Sequence, residues 1–256
     1  MVRAAHLIAA ACLCAHGLVA TRAAATGVAL DYEVRYGLFE VLEVSATTRL
    51  DDGRYETTST LRTVGIVGLL FPWNASARTN GLRNRDELRP LRHRAEGTYR
   101  SARRTVALDY DPTGGIHTQI LPPAATDYRD PVPPGLLPGT IDPLTASLAA
   151  VELGCHGTLR VFDGRRRYDM TLEEYAPAPV PSERGVYQGT ARHCRATIAP
   201  LAGFWRPTAQ ADERPTHLDF WVATPRPDLL AVPVYLELSA PRGTLGVHLT
   251  RAEALP

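Results

Sequence analysis

Polar and apolar residues alternate with a period of two along much of this chain. Leu30, Tyr32, Val34 and Tyr36 alternate with Asp31, Glu33 and Arg35, and Leu42, Val44, Ala46, Thr48 and Leu50 alternate with Glu43, Ser45, Thr47 and Arg49. Such alternation predicts strands with one buried and one wet face. Asp51-Asp52-Gly53 supplies a hairpin turn into a Thr-rich strand at 54–64, and Asp163-Gly164 turns 158–162 back into 167–175. Further strands are predicted at 91–99, 105–110, 186–198, 217–223, 232–238 and 244–250. Short turns between consecutive strands make an antiparallel meander. One helix interrupts it: Asp142 can cap, Pro143 suits the first position, and residues to Leu153 continue without a breaker before Gly154. The predicted fold is mainly β, an antiparallel, strongly curved open sheet or half-barrel with one short helix near 143–153. A Pro-rich connection near 122–143 precedes the helix and is read as joining two halves of one sheet rather than two subdomains.

The first 25 residues read differently. Arg3 is followed by a mostly apolar stretch from Leu7 to Ala20, and Ala23 and Ala25 fit an A-x-A cleavage site. This is the pattern of a signal peptide, which leaves 26–256 as a single β-rich periplasmic domain with no transmembrane segment. The apolar stretch falls short of the ~20 residues that a spanning helix needs. Without Arg3 and Arg22, 26 of the 28 basic residues face 27 acidic ones, a net charge of −1. No strong field for nucleic acid or an anionic surface follows from that balance. Every basic side chain is Arg, so P-loop, Schiff-base and Ser–Lys chemistry are excluded.

Cys12 and Cys14 lie in the leader, and Cys155 and Cys194 remain. An even pair in an oxidising compartment predicts one disulfide. The competing Cys₂His₂ zinc reading uses Cys155-His156 and His193-Cys194. It suffers because adjacent strand residues point to opposite faces. No metal and no cofactor are expected. Asp109 and Asp111 share a strand face but precede the turn sequence Pro112-Thr113-Gly114-Gly115. Arg165-Arg166-Arg167 reads as a solvated hairpin flank. His93, His117, His217 and His248 are scattered with no nucleophile beside them, and no hydrolase, zincin or dinucleotide motif is present. Two glycine-punctuated apolar runs stand out, 65–73 and 201–205. Either is core, or the two border a concavity for an apolar ligand, with Leu70, Phe71, Trp73, Phe204 and Trp205 as candidate binding residues.

The stretches TLRTVGIVGLLFPW (60–73), CHGTLRVFDGRRRYDM (155–170) and 187–204, with Cys194 and Ala199–Phe204, resemble exported bacterial proteins of the domain of unknown function 3108 family. The resemblance covers most of the chain after residue 25. It implies a periplasmic β-rich domain and brings no activity, so no catalytic residue is carried over. The functional expectation is a non-enzymatic periplasmic binding or carrier module for an apolar or amphipathic envelope component. Its partner would be a lipid-like ligand or an envelope protein. The alternatives are an interaction protein of envelope assembly that works through an exposed sheet edge, and an envelope hydrolase with an unrecognised site.

Overall fold

The structure, a computed structural model, describes residues 26–99, 102–123, 130–204, 216–240 and 243–255. Residues 1–25, read above as a signal peptide, and Trp205 lie outside the described residues. The strands are β1 (Gly27–Tyr36), β2 (Phe39–Asp51), β3 (Arg54–Thr63), β4 (Trp73–Arg83), β5 (Leu88–Tyr99), β6 (Ala102–Tyr110), β7 (Ile116–Leu121), β8 (Gly157–Phe162), β9 (Arg167–Pro179), β10 (Thr190–Ala202), β11 (His217–Ala223), β12 (Val232–Ala240) and β13 (Gly243–Leu255). A short α1 (Gly65–Leu70) joins β3 to β4, and α2 (Pro143–Glu152) precedes β8.

All thirteen strands form one antiparallel sheet in the order β7-β6-β5-β4-β3-β2-β1-β13-β12-β11-β10-β9-β8. The chain walks outward from β1 to β7, then from β8 back to β13, which pairs with β1. The result is two meandering arms joined along a β1–β13 seam. The sheet does not close into a barrel, and β7 and β8 are its edges. The β8 edge is covered, because Ile141 adds one parallel bridge opposite Val161 and exchanges backbone hydrogen bonds with Arg160 and Phe162.

The predicted hairpins and helix are present, with shifted limits. Two strands carry no alternation strong enough to read. In β4, WNASARTNGLR is too polar and too rich in Asn and Gly. It is a strand because β3 and β5 pair with it on both sides. β7 is only six residues long. The reverse difference occurs at 186–189, which lies outside β10. There Gly185 has a positive φ of 90° with no room for a side chain beside the Leu249 carbonyl, which accepts from the Val186 N–H.

Inward-facing residues follow the cross-strand register from Val44 through Tyr32 to Leu249, and from Leu236 through Phe220 to Cys194. Helix α2 lies against this inner face. Ala150 packs with Cys155, Leu172, Cys194, Ala196, Phe220 and Val222, while Ala149 packs with Leu50, Tyr55 and Leu88. Cys155 and Cys194 form the expected disulfide at the base of the first group, with Cα atoms 5.8 Å apart. This uses the thiols that a zinc site would need.

Candidate functional site

Helix α2 is placed by its first turn. Asp142 is the N-cap, and its side chain accepts from the backbone N–H of Leu144 and Thr145. It also accepts from the hydroxyls of Thr79 on β4 and Thr145, at 2.7 and 2.6 Å, and faces His93 Nδ1 on β5 at 3.1 Å. Thr145 in turn meets the Tyr55 hydroxyl at 2.7 Å. Asp142, Thr79 and Thr145 are fully buried, and His93 is 3% exposed. Burial alone would raise the Asp142 carboxyl. The hydrogen bonds and charge of His93, with the two threonine hydroxyls, outweigh it and hold Asp142 below the usual carboxylate range.

A helix fixed at its N-terminus does not fill the sheet's concavity along its whole length. Between α2 and the inner face of the seam lies a cavity of about 270 Å³. Its mainly apolar lining includes Leu30, Tyr32, Val44, Leu148, Val151 and Leu236. These positions were legible as inward-facing, but nothing in their spacing separates a cavity wall from filled core. None of Leu70, Phe71, Trp73 or Phe204 lines this cavity.

The sequence candidates stand elsewhere. Leu70 belongs to α1, and Phe71 and Trp73 follow it at the end of the sheet. α1 has no buried residue, and Leu69 and Leu70 are 80% and 61% exposed. Leu38 and Phe39, at the β1–β2 turn, are equally open. These residues make an apolar rim rather than core. Trp73 also lines a second inner-face cavity, of about 380 Å³, together with Ala75, Ala95, Gly97, Val106 and the β8–β9 turn. Phe204 is half-buried at the end of β10, next to Gly203, which packs against the Arg165 carbonyl of that same turn.

Two arginines of the run at that turn are not a solvated flank, while Arg166 is exposed and pairs with Asp163 of its own turn. Arg167 is 2% exposed and donates to the carbonyls of Leu136 and Tyr168 and to Asp169. Arg165 donates to the carbonyls of Leu121 and Pro122, tying the hairpin tip to the end of β7. These side chains therefore brace the opening between the two sheet edges. A long guanidinium can reach several carbonyls at once, which a residue count does not foresee. Asp109 and Asp111 do not share a site. Asp109 takes Arg92 and Arg94, and Asp111 closes its own turn through Thr113 and Gly115.

The histidines have partners that the sequence did not suggest. On the outer face His248 Nδ1 lies 2.9 Å from the Ser182 hydroxyl, and His193 Nε2 lies 3.1 Å from Asp219, which Arg195 also clamps. Ser182 additionally accepts the Arg184 N–H. Glu33 stands opposite His248 in the ladder but is bonded to Arg35. Ser182–His248 and His193–Asp219 are separate pairs, and among the described residues no group of three or more His, Cys, Asp or Glu could hold a metal. No described helix is long and apolar enough to cross a membrane.

The family model described as protein of unknown function (DUF3108) matches residues 31–250. A search of the curated proteins found no match. A solved structure, the β-barrel-like protein of domain of unknown function DUF1849 from Brucella abortus, aligns with 91% of this chain and 99% of its own length. Its TM-score is 0.51 at 10% identity, so the likeness concerns the fold alone.

Proposed function

Since the chain belongs to the DUF3108 family of proteins of unknown function, its role has to be read from its own cavities, and we propose that it is a non-enzymatic periplasmic carrier that holds an apolar chain between α2 and the concave face. The observation that carries this reading is the 270 Å³ cavity walled by Leu30, Tyr32, Val44, Leu148, Val151 and Leu236. Its size sits at the lower limit of small-molecule pockets, ~300 Å³, and suits a slender chain better than a bulky ring system. The leader at 1–25 supports export, with the mature chain starting at Thr26. The exposed rim of Leu69, Leu70 and Phe71 supports contact with an apolar surface during loading or release.

The test uses the protein purified from its own periplasm. Native mass spectrometry should show a co-purified amphiphile on a chain that begins at Thr26. In binding assays the parent should take up dansyl-undecanoic acid. Leu148→Trp, which fills the cavity, should lose at least tenfold in affinity while keeping the melting temperature. Equal uptake by both proteins, or none by the parent, overturns the carrier reading. The hydrolase alternative rests on the Ser182–His248 contact. It requires esterase activity on p-nitrophenyl acyl esters that Ser182→Ala abolishes.

A further inference from the structure

The large apolar side chains left most open to water are gathered at one end of the sheet. Among the described residues the five most exposed are Leu38, Phe39, Ile66, Leu69 and Leu70, at 61–80%. All five sit at the β1–β2 turn or in α1. The two segments are neighbours: the Val64 N–H donates to the Val41 carbonyl, and Gly65 lies beside the Glu40 carbonyl. Neither is a loose loop. Arg35 donates to the Leu38 carbonyl and fixes the turn. The Thr63 hydroxyl donates to the Phe71 carbonyl and accepts the Trp73 N–H, which ties down the end of the α1 segment. Gly68 packs on the Thr63 carbonyl so closely that no side chain would fit there. The backbone of α1 is thus fastened to β3, while none of its residues is buried. A cluster of large apolar side chains held out in water by specific bonds marks an interaction surface.

The order of side chains around this tip points to its partner. Residues 36–39 and 64–72 include no charged side chain. Set back from the tip, at the last residue of β1 and the first of β4, are two rings that carry polar groups. Tyr36 and Trp73 are less exposed, at 41% and 37%. Further along the strands come the ion pairs Arg35–Glu33 and Arg62–Glu43. Apolar side chains, then amphipathic rings, then charges is the succession met on leaving the hydrocarbon of a bilayer for water. A protein interface instead gathers its rings at the buried centre of the patch. We propose that this tip docks the protein on a phospholipid bilayer by inserting Leu38, Phe39 and the α1 side chains into its surface. Both arginines behind the tip are already paired, and Glu40 follows Phe39. The attraction is therefore apolar, and the surface is zwitterionic rather than anionic. Docking of this kind is reversible, far from the hold of a spanning helix. It goes beyond the carrier reading and does not need the chain cavity to be filled.

Flotation with dioleoylphosphatidylcholine vesicles is the test, with the protein purified from its own periplasm. The parent should float with the vesicles, as well in high salt as in low, and no better when phosphatidylglycerol is added. Leu69→Asn/Leu70→Asn should partition at least tenfold more weakly at an unchanged melting temperature, because α1 buries nothing. Leu148→Trp, which fills the chain cavity, should float like the parent. A parent that stays in the buffer, or that floats only with anionic vesicles at low salt, overturns the docking. Equal flotation by the parent and the Leu69/Leu70 variant does the same. Self-association that this variant abolishes, without flotation, makes the tip an interface between copies and also overturns it. Flotation lost in Leu148→Trp traces the lipid to the chain cavity, which overturns the docking and leaves the carrier reading standing. Flotation by a parent that takes up no dansyl-undecanoic acid leaves the docking standing and overturns the carrier reading.

Discussion

The two arms of the sheet obey the same alternation yet solve the problem of their inner faces differently. On the arm from β8 to β12 the inward residues are large. Phe220, Val222 and Leu172 pack with the disulfide and with Ala150 of α2. On the arm from β2 to β7 the corresponding positions of β4 and β5 are Ala75, Ala77, Thr79 and His93, Ala95, Gly97. The outer faces differ as well. The first carries a row of rings from Tyr175 through His193, Trp221 and Tyr235 to His248, with His193 stacked on Trp221 at 4.4 Å. The second carries exposed ion pairs, Arg62–Glu43, Arg78–Glu56 and Arg103–Glu96. One arm is held by apolar packing, and the other by the buried polar cluster around Asp142. Where inward residues are small and a single helix is anchored by polar contacts, volume is left over. That is where the cavity beside Trp73 lies, whereas the one under α2 opens at the seam.

The largest expected effects come from the two anchors. Asp142→Ala should cost about 3–5 kcal/mol, because it removes the helix cap and leaves His93 and two threonine hydroxyls buried without their acceptor. Phe220→Ala should cost a similar ~3–5 kcal/mol through its cavity. Hydrogen exchange should separate them. Loss at Asp142 should expose the amides of β4 and β5 first, and loss at Phe220 those of β10 and β11. Identical exchange patterns would show one cooperative unit and break the comparison. Replacing Cys155 and Cys194 by alanine comes next, at roughly 2–4 kcal/mol by denaturant titration, since the pair closes a 39-residue separation within the packed arm.

Acid should loosen the protein in two steps. Burial holds His248 below the ordinary imidazole value, against Glu33 and alongside Arg184 and Arg35. The unfolded chain therefore takes up that proton more readily. The His248 contribution is complete above about pH 6.5 and is lost as the pH falls through the lower folded value. Asp142 is also lowered on folding, so its contribution is complete above about pH 3.9 and fails only in stronger acid. Melting temperature followed against pH should show both steps, and His248→Gln should remove the upper one alone. The smallest effect belongs to the outer ion pairs. Arg62→Ala should change stability by less than about 1 kcal/mol, and still less in high salt.

Much of the packed arm was legible along the chain. Its hairpin turn at Asp163-Gly164, the strand at His217–Ala223 and the pairing of Cys155 with Cys194 follow from turn chemistry, alternation and an even thiol count. The other arm was legible only near the seam, where Val44 and Leu50 alternate clearly. Asn74, Asn80 and Gly81 hide β4, because a central strand can draw its stability from the ladders on either side rather than from its own residues. Arg167 was misread for a related reason: a charged residue beside a turn is usually solvated, and only the fold brings the Leu136 carbonyl to it. Of the candidate site, the exposed character of Leu70, Phe71 and Trp73 matches a rim. The walls of the chain cavity were indistinguishable from core.

The sequence by itself determined the antiparallel β class, the helix with Asp142 and Pro143 at its start, and the facing of each alternating strand, because these depend on neighbours a few residues apart. The tertiary structure alone decided that the first and last strands meet in a seam, that Asp142 reaches Thr79 and His93 across the concavity, and that α2 stops short of filling it. Those outcomes depend on residues about 50 to 230 positions apart whose mutual volumes no local pattern records.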